Sequence, residues 1–225
     1  MRVRICRLDK EKLDERVGFM PDLKVKICGI TNLDDALLAE ELGADALGFV
    51  YYKKSKRNIS PSLAAEIISS LSPFTLKVGV FVNSTAGEIN NISAQTKINL
   101  VQLHGNEQPE LIDEINMPVL KAFRIDENFD FNIVEKYNCA GYLFDSFSGD
   151  EYGGTGKSFD WDLLPVTLRN KITLAGGIGL ESLPDITKIN PAAIDLSSSL
   201  EAFPGKKDEN KIRQFFKEFN KYRSR

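Results

Sequence analysis

Cysteine and histidine are scarce in this chain, which has three cysteines (Cys6, Cys28 and Cys139) and one histidine (His104) in 225 residues. The cysteines are widely spaced and form no CxxC, so neither a zinc-ligand pattern nor a disulfide framework can be assembled from them. The expectation is a reduced, cytoplasmic protein without a structural metal. An excess of one charge is also missing, since 29 Lys and Arg face 32 Asp and Glu for a net charge of -3. No chain-wide basic field draws the protein onto nucleic acid or an anionic membrane. No apolar run approaches the roughly 20 residues of a membrane span. The opening stretch "MRVRICRLDKEKLDERVGFM" is broken by charges where a signal peptide needs a continuous apolar segment. These absences leave small-molecule or protein partners, with monomer and homodimer both open.

Of what is present, 42% apolar and 27% charged residues suit one globular domain with a sizeable core. The regular pattern begins at Lys24. Residues 1–23 read as an extension, either a loose charged arm or an unused upstream start, and residues 24–225 as the domain. From there, β-branched or aromatic runs alternate with amphipathic stretches. Strands are expected at 24–29, 46–50, 76–82, 100–103, 119–123, 142–145, 172–175 and 193–196, and helices at 32–42, 60–71, 85–96 and 106–115. Thr31 or Asn32, and Ser60 followed by Pro61, supply helix caps. Parallel strands need crossovers of this length, so the pattern predicts an α/β fold, a (β/α)8 TIM barrel, with a doubly wound open sheet as the alternative. No GxGxxG follows the first strand, which weakens the dinucleotide-binding version of that alternative.

In such a barrel the chemistry lies just after the strands. Those positions hold Cys28, Arg57, Asn83, His104, Arg124, Asp145, Gly176 with Gly177, and Asp195 with Ser197 to Ser199. "LAGGIG" and "DLSSSLE" follow strands 7 and 8, where glycine N–H groups and serine hydroxyls bind phosphate in many barrels. The glycine pair alone reads equally as a tight turn. "EYGGTGK" (151–157) is a third glycine-rich stretch, a possible lid. It is not a P-loop, because Glu151 stands where the motif needs glycine. Cys28 reads either as a buried small hydrophobe or, if its thiol is activated, as a base or nucleophile. Asp145 reads as a cap or as a general acid. His104 reads as a hydrogen-bonding residue rather than a catalyst.

Taken in order, "KVKICGIT", "GADALGFV", "SKRNISP", "VGVFVN", "VQLHG", "FDSFSGDEYGGTGKSFDW", "LAGGI" and "DLSSSLEAFPGKKD" resemble the phosphoribosylanthranilate isomerase family of tryptophan biosynthesis. The resemblance implies a cofactor-free Amadori rearrangement of N-(5-phosphoribosyl)anthranilate, a phosphorylated aminosugar, to the corresponding ribulose phosphate. It implies Cys28 as the base and Asp145 as the acid. Arg57, Asp195 and His104 fall among the substrate contacts. Gly154, Thr155, Gly156, Gly176, Gly177, Ser198 and Ser199 fall around the phosphate. Ser199 stands where the family usually has glycine, so a left-handed backbone there would be strained. Two other readings stay open: another phosphosugar isomerase or epimerase, and a non-catalytic barrel that binds a phosphorylated ligand.

Overall fold

The computed structural model describes residues 23–126, 128–146, 164, 168 and 171–223. Apart from Leu23, the expected N-terminal extension lies outside the described residues, as does the glycine-rich stretch 151–157. Eight parallel strands close into a barrel in chain order: β1 (Lys24–Cys28), β2 (Ala46–Val50), β3 (Leu76–Phe81), β4 (Leu100–Leu103), β5 (Val119–Ile125), β6 (Gly141–Ser146), β7 (Ile172–Ala175) and β8 (Ala193–Leu196). Each strand was expected. A final antiparallel hairpin, β9 (Glu201–Phe203) with β10 (Lys206–Lys207), was not.

Strand alternation separates two cores. Val25, Ile27, Leu47, Phe49, Val101, Leu103, Ile194 and Leu196 point outward into the layer shared with the helices. A smaller cluster of Leu120, Ala122, Leu143 and Ala175 is apolar and apart from it, on the alternate positions that face the barrel axis. By the same alternation Lys26, Cys28, Gln102, Asp145 and Asp195 face inward. The interior therefore turns polar towards the carboxyl ends of the strands.

Helix α1 (Leu33–Leu42) starts at Asn32, whose Oδ1 accepts from Asp35 N–H at 2.9 Å. Thr31, the other candidate cap, instead donates to the carbonyl of Gly205. Helix α2 (Pro61–Ser69) has Ser60 as its cap with proline in the first turn, and α3 (Ala86–Thr96) is capped by Thr85. The helix expected over 106–115 is instead a short 3-10 helix, Pro109–Glu114. Pro109 sets where it can begin, and Pro118 disfavours helical backbone at the residue before it, so too few residues remain for α-helical turns. Helix α4 (Leu183–Ile189) follows β7. Helix α5 (Glu209–Arg223) closes the chain, burying Ile212, Phe215, Phe216 and Phe219 at helical spacing. Arg223 at its end donates to Leu23 O at 2.9 Å and to Asp45 at 2.8 Å, fastening the last helix to the first strand. Among the described residues no helix is long and apolar enough to cross a membrane.

Candidate active site

The carboxyl ends of the strands surround a cavity of about 770 Å³, open mouth included. Of the residues singled out from the sequence, Cys28, Arg57, His104, Asp145, Gly176, Gly177, Asp195, Ser198 and Ser199 all line it. Gly154, Thr155 and Gly156 lie outside the described residues.

Cys28 ends β1, and Gly29 after it has φ 82°, a left-handed turn that glycine adopts freely. A side chain at Gly29 would also meet Arg57 Cδ at 2.6 Å. The cysteine is thus followed by a turn that both swings the chain out of the barrel and leaves room for the guanidinium. Arg57 does not hang free in the cavity. Its Nε and Nη2 donate to Glu201 Oε1 and Oε2 at 2.8 and 2.7 Å, a bidentate pair that fixes the plane of the guanidinium. Glu201 also accepts from Lys207 Nζ at 3.1 Å, and the same ammonium donates to the carbonyls of Cys28 and Ser197 at 2.6 and 3.2 Å. The β9–β10 hairpin therefore ties the ends of β1 and β8 together beneath the cavity wall.

Asp145 is the next-to-last residue of β6, three strands around the barrel from Cys28. Its Oδ2 lies 3.3 Å from His104 Nε2, off the hydrogen-bond direction. Gln102 Nε2 lies 2.7 Å from His104 Nδ1. With that amide nitrogen donating, Nδ1 is the acceptor and the ring proton sits on Nε2, facing Asp145. Asp195 Oδ2 accepts from Lys26 Nζ at 2.7 Å, while its Oδ1 is buried without a hydrogen-bond partner among the described residues and stands ready to accept from a ligand.

Electrostatics at the cysteine oppose one another. Burial pushes the Cys28 thiol up, Lys26 pulls it down, Asp195 pushes it up and Lys207 pulls it down, leaving it above its ordinary value. For Lys26, burial pulls down, but Asp195 and then Cys28 outweigh it, so the ammonium is held above its ordinary value and charged.

Gly176 and Gly177 have φ 80° and 65°, conformations that favour glycine and turn two backbone N–H groups through the loop between β7 and α4. Ser198 and Ser199 lie in a short 3-10 turn after β8. Ser199 is not among the residues with positive φ, so the strain considered for a serine in this place does not arise. Gln102, Lys26, Glu201 and Lys207 were not anticipated. A signal existed for Lys26, which stands two residues before Cys28 and so shares its face of the strand.

A family model described as N-(5'phosphoribosyl)anthranilate (PRA) isomerase matches residues 25–218. The N-(5'-phosphoribosyl)anthranilate isomerase of Trichlorobacter lovleyi is 45% identical over 198 residues, 87% of this chain and 97% of that protein. The Geotalea uraniireducens enzyme of the same name is 46% identical over 196 residues, 86% and 97% of the two chains. Among solved structures, the phosphoribosyl anthranilate isomerase of Thermus thermophilus superimposes with a TM-score of 0.81 at 36% identity, covering 88% of this chain and 99% of its own. Another isomerase of that name, solved with reduced 1-(o-carboxyphenylamino)-1-deoxyribulose 5-phosphate, gives 0.75 at 39%, with the same coverage. The matches run through the strands that carry the cavity, and the chain belongs to the N-(5'-phosphoribosyl)anthranilate isomerase family.

Proposed function

We propose that Cys28 is the base and Asp145 the acid of the aldose–ketose isomerisation, acting on N-(5-phosphoribosyl)anthranilate held across the barrel mouth. The observation that carries this reading is the placement of a thiol and a carboxyl on inward positions of β1 and β6, both lining one cavity. Asp145 in its acid form gives a proton to the furanose ring oxygen. The C1–O bond breaks towards that oxygen as the amine lone pair forms C1=N. The Cys28 thiolate then removes the proton from C2, and the bonding pair becomes C1=C2 while the iminium electrons return to nitrogen. Loss of the enol proton and protonation of C1 give the ketose, with no net gain or loss of protons.

Asp195 Oδ1 is suited to accept from the anthranilate amine or a sugar hydroxyl. Arg57 and His104 complete the substrate contacts, with Arg57 directed by Glu201. Gly176, Gly177, Ser198 and Ser199 bind the phosphate, together with Gly154, Thr155 and Gly156. The ligand of the related crystal structure, a phosphorylated ribulose bearing a carboxyphenylamino group, has the three parts these groups would receive. The barrel of residues 24–225 is the working unit, acting in the cytoplasm as a monomer or homodimer without a cofactor, and residues 1–23 are an extension to it.

The test is turnover of freshly made phosphoribosylanthranilate, followed by loss of its fluorescence. Cys28→Ala and Asp145→Asn are each expected to slow the native rate by at least about 10²-fold, the scale of a general acid or base. Native-like turnover in either folded variant removes that residue from the chemistry.

A further inference from the structure

Lys26 takes no part in the steps above and does not line the cavity, yet it lies beside two groups that do. It is 4% exposed. Register explains its surroundings: Lys26 is paired with Asp195 on β8, and Cys28 with Gly48 on β2. The ammonium lies 2.7 Å from Asp195 Oδ2. Gly48 leaves open the space a side chain would fill, and a Cβ there would stand 2.8 Å from Cys28 Sγ and 3.2 Å from Lys26 Nζ. Sulfur and ammonium thus border one small volume on the inner face of β1.

Fold stability is a weak reason for this arrangement, because replacing a buried ion pair by apolar residues is often neutral or stabilising. The other charges around Cys28 are already engaged. Arg57, in the loop after β2, is held bidentate by Glu201, and Lys207 on β10 is shared between Glu201 and two carbonyls. Asp145 on β6 and His104 after β4 act on Asp195 from across the cavity. Lys26 is the cation on the sulfur's own strand face, bordering the same small volume beside Gly48.

We propose that Lys26 is the positioning residue of the base: its ammonium, shared between Asp195 and Cys28, holds the sulfur in place and stabilises the thiolate, while Asp195 competes for the same charge. This deepens the assignment of Cys28 as base and rests on it. The two members of the ion pair then act on the sulfur with opposite sign, which a purely structural pair does not do.

The experiment measures iodoacetamide alkylation of Cys28 against pH, read by mass spectrometry of the peptide that contains it. Native protein is compared with Asp195→Asn and with the double variant Lys26→Met/Asp195→Asn. The double variant leaves no unpaired charge buried, so it is expected to fold where Lys26→Met alone strands Asp195. The midpoint is expected lowest in Asp195→Asn, where the ammonium serves the sulfur alone, and highest in the double variant. The two should differ by about one pH unit or more, as for an opposite charge removed from within a few ångströms. In the double variant kcat is expected to fall at least tenfold below Asp195→Asn, with KM little changed. Equal midpoints in the two variants overturn the proposal. Native-like turnover by Cys28→Ala overturns the base assignment instead, a result the alkylation order does not affect.

Discussion

At the scale of single residues, Gly48 shows how much of the site depends on an atom that is not there. Its Cβ would stand 3.1 Å from Cys28 Cα as well as against Sγ and Nζ, and the neighbouring strand's backbone cannot give way as a flexible side chain would. Gly48→Ala is expected to cost about 1–3 kcal/mol by overpacking and to lower turnover at least tenfold by displacing the sulfur. Gly87→Ala is the control, since nothing lies within 4 Å of its Cβ position on α3. That change is expected to raise stability by about 0.5–1 kcal/mol and leave the rate unchanged, as thermal melts and steady-state assays of the two variants would show. Gly48 stood in plain view within "GADALGFV", but its reason became visible only with the β1–β2 register. Lys26 was hidden similarly: nothing local in "KVKIC" announces that barrel closure gives its inner face Asp195 as a neighbour. Cys28 and Asp145 were legible because each ends an apolar run and motif order identifies them.

At the scale of elements, the β9–β10 hairpin was the least legible part of the fold. "DLSSSLE" read as a phosphate loop, and its serines do reach the cavity. Glu201 and Lys207, however, find their partners 144 and 179 residues earlier, at Arg57 and at Cys28 O, separations that no local pattern announces. The eight strands and first three helices were readable for the opposite reason, since alternation, caps and prolines are local. The 106–115 helix failed because its apolar spacing was counted while Pro109 within it and Pro118 just beyond it were not. Glu201→Gln tests the hairpin. It leaves Lys207 with no carboxylate and frees Arg57, and is expected to cost about 3–5 kcal/mol, as for breaking a buried pair on one side. Burial alone would raise the Glu201 carboxyl, but Arg57 and Lys207 outweigh it and hold it below its ordinary value. Its stabilisation is thus present above about pH 4.3, the unfolded glutamate value, and lost as pH falls through the lower folded value. Melting curves of native and variant protein should differ widely at pH 7 and converge in acid; a constant gap would show that Glu201 does not act through its charge.

At the scale of the whole molecule, closing the sheet puts apolar side chains outward against the helices and leaves the inner face of the mouth to charged and polar groups, largely cut off from water. That enclosure makes activity and stability respond to alkali in opposite directions. The half-buried thiol titrates above its ordinary value of about 8.5, so the base form required for C2 proton removal accumulates only as pH rises past that point. The free enzyme's kcat/KM is therefore expected to climb from pH 7 through pH 8.5 without levelling, by about tenfold per pH unit where Cys28 alone limits it. Stability has the reverse sign. A group whose folded value is raised favours the fold below its unfolded value and withdraws that support as pH rises towards the folded one. The melting temperature should fall as pH rises above about 8.5, the unfolded value, and the fall should be shallower in Cys28→Ala. A rate that levels off below pH 7, or a Cys28→Ala melting profile as steep as the native one, would mean that the Cys28 thiol does not carry the coupling.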